Sequence, residues 1–142
     1  MDARRASVTT RDIGSLWEDA VLAHLQRAGL KMIARNFTCR YGEIDLIMRE
    51  QDRREQDQRD QDQRDHDQIV FIEVRYRGDD MHGGGTVSVG AGKRAKLARA
   101  AAVYLQQNPV LAAMTCRFDV VGCSGTPVTP VFEWTRSAFD AF

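Results

Sequence analysis

Apolar positions recur with a helical period over residues 13–29, where Leu16, Ala20, Val21, Leu22, Ala23 and Leu25 form one broad face. Asp12 stands where an N-cap would, and Gly29 closes the segment. Residues 30–38 and 40–49 then predict two strands, the first with the weaker alternation. Residues 69–77, IVFIEVRYR, are rich in β-branched and aromatic side chains and predict the clearest strand of the chain. A second helix is predicted over 92–107, with Leu97, Ala100, Ala101, Tyr104 and Leu105 at helical spacing, and Asn108-Pro109 ends it. Residues 115–123 predict a further strand and 128–134 a short last one. The order α, β, β, β, α, β, with the last β, predicts one mixed sheet flanked by helices, an α/β (α+β) domain.

Residues 51–68, QDRREQDQRDQDQRDHDQ, interrupt this pattern without a single apolar residue. Burial cannot offset the entropy of ordering such a segment, so it predicts a solvated loop inserted within the domain. A charged helix held by i,i+4 pairs is the alternative. The run GDDMHGGG at 78–85 predicts a mobile loop, and residues 1–11 a flexible N-terminal tail before a single domain over 12–142. A length of 142 residues, 43% hydrophobic and 28% charged, suits one globular core. No run of about 18 apolar residues predicts a membrane span, and the N-terminus lacks the apolar centre of a secretory signal, so the expected location is cytoplasmic.

Cys39, Cys116 and Cys123 lie far apart, and histidines 24, 66 and 82 have no partner at metal-ligand spacing, so neither a disulfide framework nor a zinc site is expected. The formal net charge of zero hides an asymmetry: the insertion carries −3 and the remainder +3. A phosphate-bearing partner is therefore permitted.

The chemistry lies in acids set among apolar strand residues. Alternation predicts Glu43, Asp45 and Ile47 on one face of their strand, with Ile44, Leu46 and Met48 on the other. In the strand after the insertion, Ile69, Phe71, Glu73, Arg75 and Arg77 share a face opposite Val70, Ile72, Val74 and Tyr76. If the two strands pair as a hairpin, Asp45 and Glu73 come side by side. Two such carboxylates repel, and a divalent cation that prefers hard oxygen ligands, Mg²⁺ or Mn²⁺, would remove the repulsion. A salt bridge to a neighbouring arginine is the alternative. Glu18 falls on the stripe of Val21, Leu22 and Leu25, so it either points inward as a third acid or sits at the helix boundary. The stretch from Lys93 to Arg99 holds four basic residues in seven positions, which fits either a phosphate-binding or a simply solvated face.

Gly14-x-x-x-Glu18, Asn36-Phe37, GEIDLI at 42–47, FIEVRYR at 71–77, Lys93, CRFDVV at 116–121 and Ala138-Phe139 together resemble the YraN-like family, uncharacterised bacterial proteins similar to restriction-endonuclease-like PD-(D/E)xK nucleases. The resemblance covers residues 12–139 apart from the insertion and the glycine loop. It implies an αβββαβ core and metal-assisted phosphodiester hydrolysis. Asp45 would be the motif's aspartate, Glu73 its second acid and Glu18 the helical acid. Mg²⁺ or Mn²⁺ would be held by these acids and the Val74 carbonyl. Arg77, Lys93, Arg94 and Arg40 would contact the phosphates of nucleic acid, DNA foremost, without reading sequence.

In one position the chain departs from that pattern: Arg75 stands where the family has lysine. Arginine stays charged and cannot act as a base, so it would stabilise charge developing on the phosphate. The alternative reading is a non-catalytic nucleic-acid- or protein-binding module of the same fold.

Overall fold

The computed structural model describes residues 10–51, 67–77 and 89–140. Helix α1 (Thr10–Arg27) is followed by strands β1 (Leu30–Cys39), β2 (Gly42–Glu50) and β3 (Gln68–Tyr76). Helix α2 (Ala91–Gln107), the single turn α3 (Pro109–Ala112), β4 (Thr115–Gly125) and β5 (Pro130–Phe139) complete the chain. The five strands form one sheet in sequential order, with β3 at its centre. All neighbours are antiparallel except β3 and β4, which run parallel. A parallel pair needs a crossover, and α2 supplies it. This is the mixed α+β sheet expected from the hydrophobic pattern.

The two helices cover opposite faces. Leu97, Ala100, Ala101 and Tyr104 of α2 pack with Ile69, Phe71, Phe118, Val120 and Phe139. Trp17, Val21 and Leu25 of α1 pack with Leu46, Met48, Val70, Ile72 and Val121. Because β3 is covered on both sides, its residues 69–73 are buried without interruption.

Several boundaries differ from expectation. The first helix starts at Thr10, so Asp12 is inside it rather than capping it, and the expected tail gives up its last two residues. The helix ends at Arg27, and Gly29, at φ +102°, turns the chain into β1. Asn108-Pro109 does end α2, but Pro109 then opens α3, where its missing N–H costs nothing. The insertion is shorter at its C-terminal end than its composition suggests: Asp67 is buried against Arg49, with Arg49 Nη2 2.7 Å from Asp67 Oδ2, and Gln68 already belongs to β3. The rest of the insertion (52–66), the glycine loop and residues 1–9 lie outside the described residues.

Strand β5 is ten residues long rather than short. Its alternation is broken by Ser137, at φ +48°, and by a register shift between Phe118 and Val120 of β4. A buried polar network holds this irregular end. Asp119 Oδ1 accepts the Ser137 N–H at 2.9 Å and Arg117 Nε at 3.0 Å, while Asp119 Oδ2 accepts Trp134 Nε1 at 2.9 Å. Arg117 Nη1 continues to Glu50 Oε1 and Gln68 Oε1, each at 2.7 Å, tying β2, β3 and β4 together.

Strand β1 pairs with β2 from Leu30 to Cys39 despite its weak pattern. Its alternation is interrupted twice, by a register shift between Met32 and Ala34 and by Asn36 at φ +53°. The ladder with β2 passes from Arg35↔Leu46 to Phe37↔Ile44, which leaves Asn36 across from Asp45. The consequence is a change of phase in β2. Ile44 packs on the α2 side with Ile47, whereas Leu46 and Met48 pack on the α1 side. The expected face shared by Ile44, Leu46 and Met48 does not form.

Candidate active site

The change of phase falls at Asp45, where the sheet stops being regular. Pairing of β2 with β3 begins at Leu46↔Ile72, so the next position outward faces Asp45 toward Glu73 without a ladder bond. The Asp45 side chain takes over: its Oδ2 accepts the Val74 N–H at 2.8 Å. The two acids anticipated from the hairpin are therefore neighbours. The Asp45 carboxyl is pushed up to about 7, first by burial and then by the Glu73 charge. Glu18 and Glu43 push the same way, and the Val74 N–H opposes them.

Glu73 is 8% exposed, and its carboxyl is also raised, chiefly by burial. Lys93, Arg75 and a side-chain hydrogen bond with the Asp45 carboxyl work against that shift. Lys93, reaching down from the first turn of α2, places Nζ 3.5 Å from Glu73 Oε1. The other oxygen, Oε2, is buried without a hydrogen-bond partner. Arg75, two residues along the same strand, is half-buried, and its Nε is likewise unpartnered. A buried, unpaired carboxylate oxygen beside a second carboxylate is costly unless something positive completes it.

Two further acids converge on Asp45. One carboxylate oxygen from each of Glu18, Glu43 and Asp45 lies within 4.8 Å of the others. Glu18 is held by Arg35, whose Nη2 is 3.5 Å from Glu18 Oε2 and 3.2 Å from the Ser15 carbonyl. Glu18 and Glu43 line a cleft of about 770 Å³ together with Gly14, Ser15, Asn36 and Thr38. The centre is thus open on the α1 side, and Asp45 joins this open group to the buried Glu73.

Of the expected site residues, Glu18, Asp45, Glu73, Arg75 and Lys93 come together, and Val74 joins through its N–H. The residues expected to contact phosphates are not all gathered at this centre. Arg77 Nη1 lies 3.8 Å from Glu133 Oε2 of β5, and Arg94 lines a separate pocket with Ala98, Phe139 and Asp140. Arg40 sits in the β1–β2 turn with its guanidinium 4.7 Å from the centroid of the Tyr41 ring. Two residues missing from the expected set enter the centre: Glu43, which the alternation with Asp45 already pointed to, and Arg35, which had no signal in its own strand.

Fold and site define an α+β protein with four acids gathered where the regular pairing of two adjacent strands ends. Comparison places it more closely. A family model described as "Uncharacterised protein family UPF0102" matches residues 17–123, and the chain belongs to that family, the YraN-like one that its motifs resemble. It is 45% identical over 128 residues to a UPF0102 protein of Xanthomonas euvesicatoria pv. vesicatoria, covering 90% of this chain and 91% of that one. It is 42% identical over 129 residues to a UPF0102 protein of Xylella fastidiosa strain M12, covering 91% of this chain and 93% of that one. No described helix is long and apolar enough to cross a membrane.

Proposed function

We propose that this protein is a divalent-metal-dependent phosphodiesterase of nuclease fold that acts on nucleic acid, DNA foremost, in the cytoplasm. The observation that carries this reading is the unpartnered, buried Oε2 of Glu73 beside an Asp45 carboxyl pushed up to about 7. The donor set fits Mg²⁺ or Mn²⁺: every candidate ligand is a hard oxygen, and no described histidine or cysteine joins the cluster.

Asp45 and Glu73 would hold the ion, with Glu18 and Glu43 completing its surroundings directly or through water, and the Val74 carbonyl as the further oxygen that the family resemblance implies. When bound, such an ion polarises a phosphoryl oxygen and lowers the pKa of water. The chain's own groups do the rest. The Val74 N–H fixes the Asp45 carboxylate, and Lys93 orients Glu73. An arginine is no general base, so Arg75 stabilises negative charge developing on the phosphate and leaves proton abstraction to others. Arg75 also favours a second reading, a module of the same fold that binds nucleic acid or a protein without cutting.

One experiment separates the two. Labelled single-stranded, duplex and branched DNA is incubated with the protein in Mn²⁺ or in EDTA. The hydrolytic reading expects Mn²⁺-dependent cleavage that Glu73→Gln removes and Arg75→Lys increases. Binding that is indifferent to EDTA, with no cleavage by either the natural chain or Arg75→Lys, overturns it in favour of the binding module.

A further inference from the structure

The basic residues of α2 fall on different flanks of the helix. At about 100° per residue, Lys96 and Arg99 fall on the flank turned toward the β1–β2 turn, and Arg94 falls on the other. The contacts agree. A Cβ at Gly42 would stand 3.9 Å from Lys96 Cβ, and the Arg99 guanidinium lies 5.8 Å from the Tyr41 ring centroid. Arg40 also addresses that ring, and its Nη2 hydrogen-bonds the Tyr41 hydroxyl. Tyr41 is therefore shared by two guanidiniums from different elements. Such stacking holds the cations in place while leaving further N–H groups at the guanidinium edges to donate.

Arg40, Lys96 and Arg99 are exposed, and none forms an ion pair among the described residues. Lys93, whose side chain is 41% exposed, connects this group to Glu73. From Lys93 to Arg99 the helix rises about 9 Å, a length over which one strand of duplex DNA presents roughly three phosphates. Cations without an ion pair among the described residues, set along a line that begins at a carboxylate centre, have an evident use when the ligand is a polyanion, because each neutralised phosphate releases counterions.

We propose that Lys93, Lys96 and Arg99 of α2, with Arg40 of the β1–β2 turn, form a track for the phosphodiester backbone of nucleic acid that leads to Glu73. This deepens the phosphodiesterase reading and rests on it only for the class of ligand. It takes Arg77 and Arg94 out of the contact set and puts Lys96 and Arg99 into it.

The test measures binding alone. A fluorescent 20-nucleotide DNA, single-stranded in one arm and duplex in the other, is titrated with protein in EDTA, and anisotropy is read across a series of salt concentrations. In whichever arm the natural chain binds, the double variant Lys96→Gln/Arg99→Gln should weaken binding at least tenfold and lower the salt slope by about 2. Arg77→Gln and Arg94→Gln should stay within twofold of the natural chain. All four positions lie away from the core, and circular dichroism verifies that each variant is folded. The track is overturned if neither DNA binds, if the double variant binds within twofold of the natural chain, or if Arg77→Gln or Arg94→Gln loses as much as the double variant does. A chain that binds through the track but never cleaves in Mn²⁺ would sink the hydrolytic reading and leave the track standing.

Discussion

Replacing Asp45 by asparagine should stabilise the metal-free protein, and the gain should depend on pH. The Asp45 carboxyl is displaced from 3.8 to about 7 in the folded chain. At about 1.4 kcal/mol per pKa unit, that displacement sets a ceiling of about 4 kcal/mol. The sign follows from proton counting. Between pH 4 and 7 the folded chain keeps a proton that the unfolded chain has lost, so stability falls as pH rises through that window and levels off above it. Asparagine keeps an oxygen for the Val74 N–H, which now donates to Asp45 Oδ2 at 2.8 Å, and removes the charge that burial and Glu73 oppose. Its amide must still find partners beside Glu73, so about 2 to 3 kcal/mol of the ceiling should be realised at pH 8. For a chain of this length that is about 6 to 10 °C in Tm. The assay is thermal unfolding by circular dichroism in EDTA from pH 4 to pH 8. The difference between variant and natural chain should be near zero at pH 4 and grow to its plateau near pH 7. Adding Mn²⁺ at pH 8 should raise the Tm of the natural chain and leave the variant nearly unmoved. A variant less stable than the natural chain at pH 8 in EDTA, or a gain that ignores pH, would refute the account of this centre.

Two further predictions concern the scaffold. Asp119→Ala removes an acid whose side chain is fully buried and which serves Arg117, Trp134 and Ser137, so it should cost about 3 to 5 kcal/mol in urea unfolding; a loss under about 1 kcal/mol would show that the network contributes little. Asn36→Ala, at φ +53°, should lose about 1 kcal/mol in the same assay while Asn36→Gly matches the natural chain; equal effects would mean that the left-handed backbone is not what requires asparagine there.

How far the site could be read from the chain depended on how regular each strand is. Residues 69–73 sit in the central strand with apolar cover on both faces, so composition alone marked them, and Glu73 stood out as the one acid among them. Asp45 stood out for the same reason. Its exact surroundings did not, because period-two reasoning assumes an unbroken pleat, and Asn36 breaks it across the ladder from Asp45. The same assumption placed Ile44 with Leu46 and shortened β5. Arg117 and Asp119 belonged to a recognisable motif whose structural work, joining β2, β3, β4 and β5, involves partners 15 to 67 residues away and is visible only in three dimensions.

The chain on its own determined the element order, the mixed sheet, the central buried strand and the pair of strand acids, because each follows from local periodicity and from the cost of placing charge among apolar neighbours. Tertiary structure decided the rest. Register across β1, β2 and β3 set which acids meet. The packing of α2 on the sheet brought Lys93 to Glu73. Burial, which no short window of sequence measures, left Glu73 Oε2 without a partner and raised Asp45 to about 7. These are properties of distances between segments far apart in the chain, and only folding fixes them.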